Sequence, residues 1–491
     1  MVFHSLGFAL FLPVVFALYW FVFKNKPAGQ NVLLLIASYV FYGWWDLRFL
    51  AILIPLSFAN FYIGTRIGKY NIERVRKLWL VSGLIINLGV LGVFKYYNFF
   101  VDSFIGLAAR IGYELPESTT QIILPVGISF YVFLSLSYIL DIYKGKLTAE
   151  RDIVKVLLSL GFFPIILAGP IQRPLTLIPQ IKTPRIFDSG QAIDGLRQIL
   201  WGLFVKVVIA DTLAGVADDI FLNYSDFSGS TLLLGAFLYS IQIYADFAGY
   251  SDMAIGVAKL FGFSLMRNFA FPYFARDISE FWKRWHISLT TWFRDYVFYP
   301  LSVGVSWRLR SERMFFMKAD LFIYIVASSV TWFLTGLWHG ANNTFIVWGM
   351  IHGVFLIFYY SQRKPRKRLL KSIGITNDHI AVRISEYTLT FIIIMLAWVF
   401  FRSDNTGHAI RYISGIFSGY FFPLPEISFV AAILPVTLFM GLEWIGRKQN
   451  YAIEQLAVRW VRPVRWSFYF LLCFSVFLSL GKQQTFIYFQ F

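Results

Sequence analysis

Residues 331–353 read TWFLTGLWHGANNTFIVWGMIHG, and how this stretch is read decides the fold. It sets His339 deep in an aromatic run of membrane character, beside Asn342 and Asn343. A titratable group in hydrocarbon is costly to keep, so an intramembrane histidine marks a functional site by default. If the whole run is helical, Thr335, His339, Asn342 and Asn343 share one face at i−4, i, i+3 and i+4. The competing reading is a structural histidine bonded to a neighbouring carbonyl, and proton relays or ion paths use the same kind of group.

Composition agrees with a membrane setting. The chain has 491 residues, 58% hydrophobic, 20% aromatic and 14% charged, against about half apolar and about a quarter charged in soluble proteins. The net charge of +17 does not indicate nucleic acid, because the cations sit in short loops between apolar runs, the positive-inside pattern. Membrane lipid is therefore the expected surroundings. The single cysteine, Cys473, allows no intrachain disulfide. Residues 1–23 lack a basic start and a small-residue cleavage site, and read as a retained span.

Apolar runs of span length recur at about 5–23, 31–45, 49–66, 78–97, 121–141, 199–221, 231–262, 321–338, 344–361, 387–401, 427–445 and 466–481. This predicts an all-α polytopic membrane protein of about 11–12 transmembrane helices, one domain over 1–491. Lys24 and Lys26, Arg66 to Lys77, and Lys144 to Arg151 would be cytoplasmic. The loop with Asp102, Glu114 and Glu117 against Arg110 would face outward, which places both termini outside the cytoplasm. Residues 153–175 break the alternation. Pro164, Gly169 and Pro170 make them a re-entrant segment rather than a crossing. The stretch 264–320 is both basic and aromatic, and reads as interfacial and re-entrant helices, the re-entrant part over about 276–300.

The chemistry-bearing motifs are few. No phosphate loop, dinucleotide fingerprint, zinc-protease motif or nucleophile elbow occurs, and no metal site is expected. A histidine without a nearby Ser or Cys nucleophile suits general-base work on a hydroxyl, with direct transfer from a separate donor. His286 lies in FWKRWHISLTTWFRDY, and Arg284 and Lys283 beside it favour a phosphate-bearing donor such as a CoA or phosphopantetheine thioester. Asp246 and Asp252 in QIYADFAGYSDMAIG would cap a broken helix or orient a histidine.

FWKRWHISLTTWFRDYVFYPL, LTGLWHGANNTFIVWGMIHG, YADFAGYSDMAIG, LAGPIQRP, ILPVGISFYVFLSLSYILDIY, WVFFR and the closing FIYFQF together resemble the bacterial branch of the membrane-bound O-acyltransferase family. The resemblance covers essentially the whole chain. It implies a helical ring with a central channel, with His339 and His286 as the catalytic pair; beside them Trp338, Asn342, Arg284 and Asp246 are the substrate-binding candidates. It also implies a bacterial inner-membrane location and transfer of an acyl group, acetyl foremost, from a cytosolic thioester to an envelope polysaccharide such as alginate. An extracytoplasmic SGNH-type partner would complete delivery. The rivals are D-alanyl transfer to teichoic acid, which would need an aminoacyl carrier protein, and a non-enzymatic transporter or proton-coupled channel.

Overall fold

The computed structural model describes residues 1–116, 122–309, 311–314, 316–418, 425, 429–482, 484 and 486–487. Glu117 and, of the closing FIYFQF, Tyr488 to Phe491 lie outside them. The described chain is helical apart from one short hairpin, Arg313–Met314 with Met317–Lys318. Among the described residues, seven helices are long and apolar enough to cross a bilayer: Leu47–Lys69, Glu73–Arg110, Ser189–Leu222, Gly229–Leu260, Ala319–His339, Asn343–Ser372 and Ile380–Arg402. Four shorter apolar helices, Leu6–Val22, Ile128–Tyr143, Ile153–Ile166 and Ala432–Gly446, accompany them. The protein is a multi-pass, all-α membrane protein, because only structures that satisfy their own backbone groups are stable in lipid.

Two compact units are present: Met1–Leu200 with Tyr250–Met266, and Trp201–Gly249 with Arg267–Phe491. In the first, Ile128–Tyr143 is buried along nearly its whole length and acts as a core helix. Its small and hydroxyl residues bond outward, as Tyr131 does to Ser57 at 2.7 Å. Nearby, Asn60 and Asn87 exchange amide hydrogen bonds of 3.1 and 2.7 Å between helices Leu50–Lys69 and Glu73–Leu91. Such pairs hold helices together where lipid supplies no hydrophobic drive.

The 153–175 break is also in this unit. Helix Ile153–Gly161 stops at Phe162, a single turn Phe163–Ile166 follows, and helix Pro174–Lys182 begins after an extended stretch. Gly169 lies so close to the Pro164 carbonyl that any Cβ would collide with it, so only glycine permits this fold-back. Irregular buried backbone must find partners. Phe163 N–H donates to Ser38 Oγ at 3.0 Å, and Met266 N–H donates to Gln172 Oε1 at 2.8 Å.

The second unit is built on a tight antiparallel pair, Ala319–His339 and Asn343–Ser372. Side chains at Gly336 and Gly349 would meet the carbonyls of Phe345 and Trp332, so both glycines are needed for this approach. Helix Ile380–Arg402 packs on the pair, and the 264–320 stretch forms short helices, Ile278–Arg284, Ile287–Phe293 and Tyr299–Arg308.

The single polar stripe expected for 331–353 does not form. The helix ends at His339, Gly340 is extended (φ −175°), and a new helix starts at Asn343 with Asn342 as its cap. Thr335, His339, Asn342 and Asn343 therefore do not share one helical face. The Asn-rich loop supplies cap and turn chemistry that competes with helix continuation. Helix capping by Asp246 and Asp252 is likewise not observed, since helix Gly229–Leu260 runs unbroken through both.

Candidate active site

His286 begins the site. It caps helix Ile287–Phe293 from a left-handed conformation (φ 43°, ψ 52°), a strained backbone for a non-glycine residue. Asn268 holds it there. Its main-chain carbonyl accepts from Ile287 N–H at 2.8 Å, and its side-chain Oδ1 lies 3.0 Å from His286 Nδ1. The same Oδ1 accepts from the Ser288 hydroxyl at 2.9 Å and the Ser288 N–H at 3.4 Å. A backbone N–H can only donate, so that atom is the oxygen and His286 Nδ1 carries a proton toward it. The Nε2 lone pair of the neutral ring is thereby turned to the other side. The ring is fully buried and meets Phe247 edge-on at 4.6 Å between centroids.

His339 closes its helix at 3% exposure, enclosed by the rings of Trp338, Trp348 and Phe401 at 4.9, 4.9 and 5.2 Å. Trp338 touches both histidines, lying 6.1 Å from His286 and 4.9 Å from His339 by ring centroids. Residues 53 positions apart in the chain thus meet across one indole. The surrounding wall is aromatic, which lowers the local dielectric and strengthens any polar contact made inside it.

Beside this pair is a cavity of about 470 Å³. Trp282, Trp332, Phe293 and Tyr324 give it an apolar wall, Thr335 brings it to within one turn of His339, and Lys283 and Arg294 put two cations on it. The volume is at the small end of ligand sites, and the mixture suits a slender, largely apolar group with an anionic end.

The remaining candidates lie elsewhere. Asn342 caps its helix by accepting from Thr344 N–H at 3.1 Å, and its amide donates to the Asp404 carbonyl at 2.8 Å. Arg284 is paired with Glu280 four residues earlier and does not line the cavity, whereas Lys283 does. Asp246 is buried in an ion triad with Lys206 and Asp211, each carboxylate 2.6 Å from Nζ, and it accepts from Ile487 N–H at 2.8 Å. Phe486, the residue before, contacts Phe247, and Phe247 contacts His286. Asp246 therefore reaches the site through packing.

Sequence reasoning missed Asn268, Arg294, Trp282 and Trp332. Asn268 lies 18 residues from its histidine with no spacing signal to reveal it. Arg294 sits eight residues past His286 in the same quoted motif, and was legible as a charge though not as a cavity wall. Among the described residues no cluster of His, Cys, Asp and Glu could hold a metal ion.

Comparison with known proteins fits this geometry. The model of the membrane-bound O-acyltransferase family matches residues 150–402, which include both histidines. A probable alginate O-acetylase of Pseudomonas syringae pv. tomato is 39% identical over 430 residues, covering 87% of this chain and 77% of the relative. The peptidoglycan O-acetyltransferase of Helicobacter pylori is 31% identical, covering 83% of this chain and 77% of the relative. The teichoic acid D-alanyltransferase of Bacillus subtilis is 27% identical over about half of each chain, 50% of this one and 60% of that one. With a family match over half its length and relatives this similar across most of theirs, the chain belongs to the membrane-bound O-acyltransferase family and is an acyltransferase that draws on an acyl donor.

Proposed function

We propose that this enzyme, working as one domain over 1–491, takes an acetyl group from a cytosolic thioester, acetyl-CoA or a similar donor, and delivers it to a hydroxyl of an envelope polysaccharide such as alginate. The observation that carries this is the pair of buried histidines that both touch Trp338, next to a cavity of about 470 Å³ bearing two cations. His339 acts as general base, removing the hydroxyl proton as the oxygen attacks the thioester carbonyl. The C–S bond then breaks, and the thiolate leaves with the proton returned. His286, fixed by Asn268, orients the reacting group or relays the proton through its other nitrogen. Lys283 and Arg294 attract the donor's phosphates.

Acetyl is preferred over D-alanyl because the O-acetylases and the peptidoglycan O-acetyltransferase match most of the chain, and the D-alanyltransferase only half. The transport alternative is disfavoured by the same comparisons. The setting is the bacterial inner membrane, both termini extracytoplasmic, with the histidines in a central passage reached from both faces. The break at 153–175 and the 276–300 helices are each re-entrant, and an SGNH-type partner completes delivery to the polysaccharide outside.

The test is envelope O-acetyl content in a deletion strain carrying wild type, His339→Ala or His286→Ala, with membrane levels checked by blot. Loss of acetylation at normal protein level is expected for His339→Ala. Full acetylation with His339→Ala would end the general-base reading.

A further inference from the structure

Behind the cavity, on the side toward His339, lies a histidine that the reaction scheme above does not use. His352 is fully buried in helix Asn343–Ser372, and neither ring nitrogen has a hydrogen-bond partner among the described residues. Four tryptophans surround it. Trp282 and Trp348 stand edge-on at 4.9 Å, Trp332 at 5.7 Å and Trp398 at 6.4 Å between ring centroids. The indole nitrogens of Trp282 and Trp348 are buried and equally without a partner among the described residues.

Buried polar atoms are almost always paired, and an unpaired imidazole in an apolar cage is costly. Three such residues in mutual ring contact, beside a cavity, mark a place where a polar group can be received. Trp282 and Trp332 are shared: they wall the cavity on one side and touch His352 on the other, and Leu356, one turn beyond His352, also lines the cavity. Trp348 then spans the rest of the way, touching His352 and His339 at 4.9 Å each.

The chemistry of the cage specifies its ligand. A neutral imidazole offers one N–H donor and one lone-pair acceptor, and the indoles add donors only. A secondary amide presents the complementary pair, a carbonyl oxygen and an N–H. The pantetheine arm of a thioester donor carries amides along a slender chain, of a size the cavity admits.

We propose that His352 binds the amide of the donor's pantetheine arm, which reaches it from the cavity as the Trp282 and Trp332 rings, in contact at 4.5 Å, part to admit it, and so brings its thioester toward His339. This deepens the acyl-transfer reading above and rests on it. His352 is a donor-binding residue, and no proton transfer is assigned to it.

The experiment compares wild type, His352→Phe, His352→Gln and His339→Ala, purified in detergent, by calorimetric titration with S-acetylpantetheine and with acetyl-CoA and by thermal melting. Phenylalanine fills the same space and loses no existing hydrogen bond, so His352→Phe is expected to melt at or above the wild-type temperature. Its affinity for S-acetylpantetheine is expected to fall tenfold or more, and KM in transfer to rise more than kcat falls. His352→Gln, which keeps a donor and an acceptor, recovers part of that affinity. His339→Ala keeps donor binding and loses transfer. If it retained transfer, the general-base reading would fail while the binding measurement still decided the role of His352. Wild-type affinity in His352→Phe overturns the proposal. So does a wild type that binds neither thioester, or a His352→Phe that loses its fold, since that would mean the ring was satisfied within the protein.

Discussion

Replacing Lys206 by methionine offers the sharpest test of how this unit is held together. Lys206 lies in a π-helical turn, Phe204–Ala210, within the long helix Ser189–Leu222, and its ammonium sits 2.6 Å from a carboxylate oxygen of both Asp211 and Asp246. All three side chains are at most 3% exposed. At an effective dielectric of about 20 each pair at 2.6 Å is worth about 6 kcal/mol before desolvation, which offsets most of it. The sign of the mutation follows from what remains. Lys206 is the one cation between two buried acidic side chains, and Lys206→Met leaves both without it.

Removing one partner of a buried ion pair costs about 3–5 kcal/mol, and that is the expected loss of resistance to unfolding in an SDS titration of the purified protein. The triple variant Lys206→Met, Asp211→Asn, Asp246→Asn removes every charge together and should regain all but about 1 kcal/mol, because apolar or neutral replacement of a whole buried network is often neutral. Asp246 also anchors Ile487, and Phe486 packs on Phe247 against His286, so Lys206→Met should lower O-acetylation beyond the drop in protein level. A Lys206→Met protein as stable as wild type would refute the reasoning, since the triad would then contribute nothing.

Two further outcomes follow from the same structure. Asn268→Leu keeps the bulk beside His286 but removes the Oδ1 that fixes its tautomer and strained backbone. Acetyl transfer should fall about 10- to 100-fold at normal membrane abundance, the scale for losing an orienting partner, and an unchanged rate would remove Asn268 from the mechanism. Gly349→Ala drives a methyl group into the Trp332 carbonyl of the facing helix. It should cost about 1–3 kcal/mol in the same SDS titration, and wild-type stability would show that the helix pair does not need the close approach.

The sequence by itself determined what depends on composition and on local order. Span-length apolar runs between basic loops are enough to require a multi-pass helical membrane protein, because hydrocarbon admits no other backbone solution here. Pro164, Gly169 and Pro170 were enough to locate the break that the structure shows after Gly161. His339 and His286 were legible because a histidine in such surroundings is rare and costly.

What the sequence could not decide was adjacency. One helix or two across 331–353 depended on Asn342 finding the Thr344 N–H and the Asp404 carbonyl, the second a partner 62 residues away. Asp246 looked like a cap or a histidine partner until its helix proved continuous and Lys206, 40 positions earlier, proved to be its counter-ion. Asn268, Trp282, Trp332 and the cage around His352 give no periodic or spacing signal. Their roles arise only when short helices fold back on a distant helix pair, since a burial cost can be read from one residue but its compensation depends on which others arrive beside it.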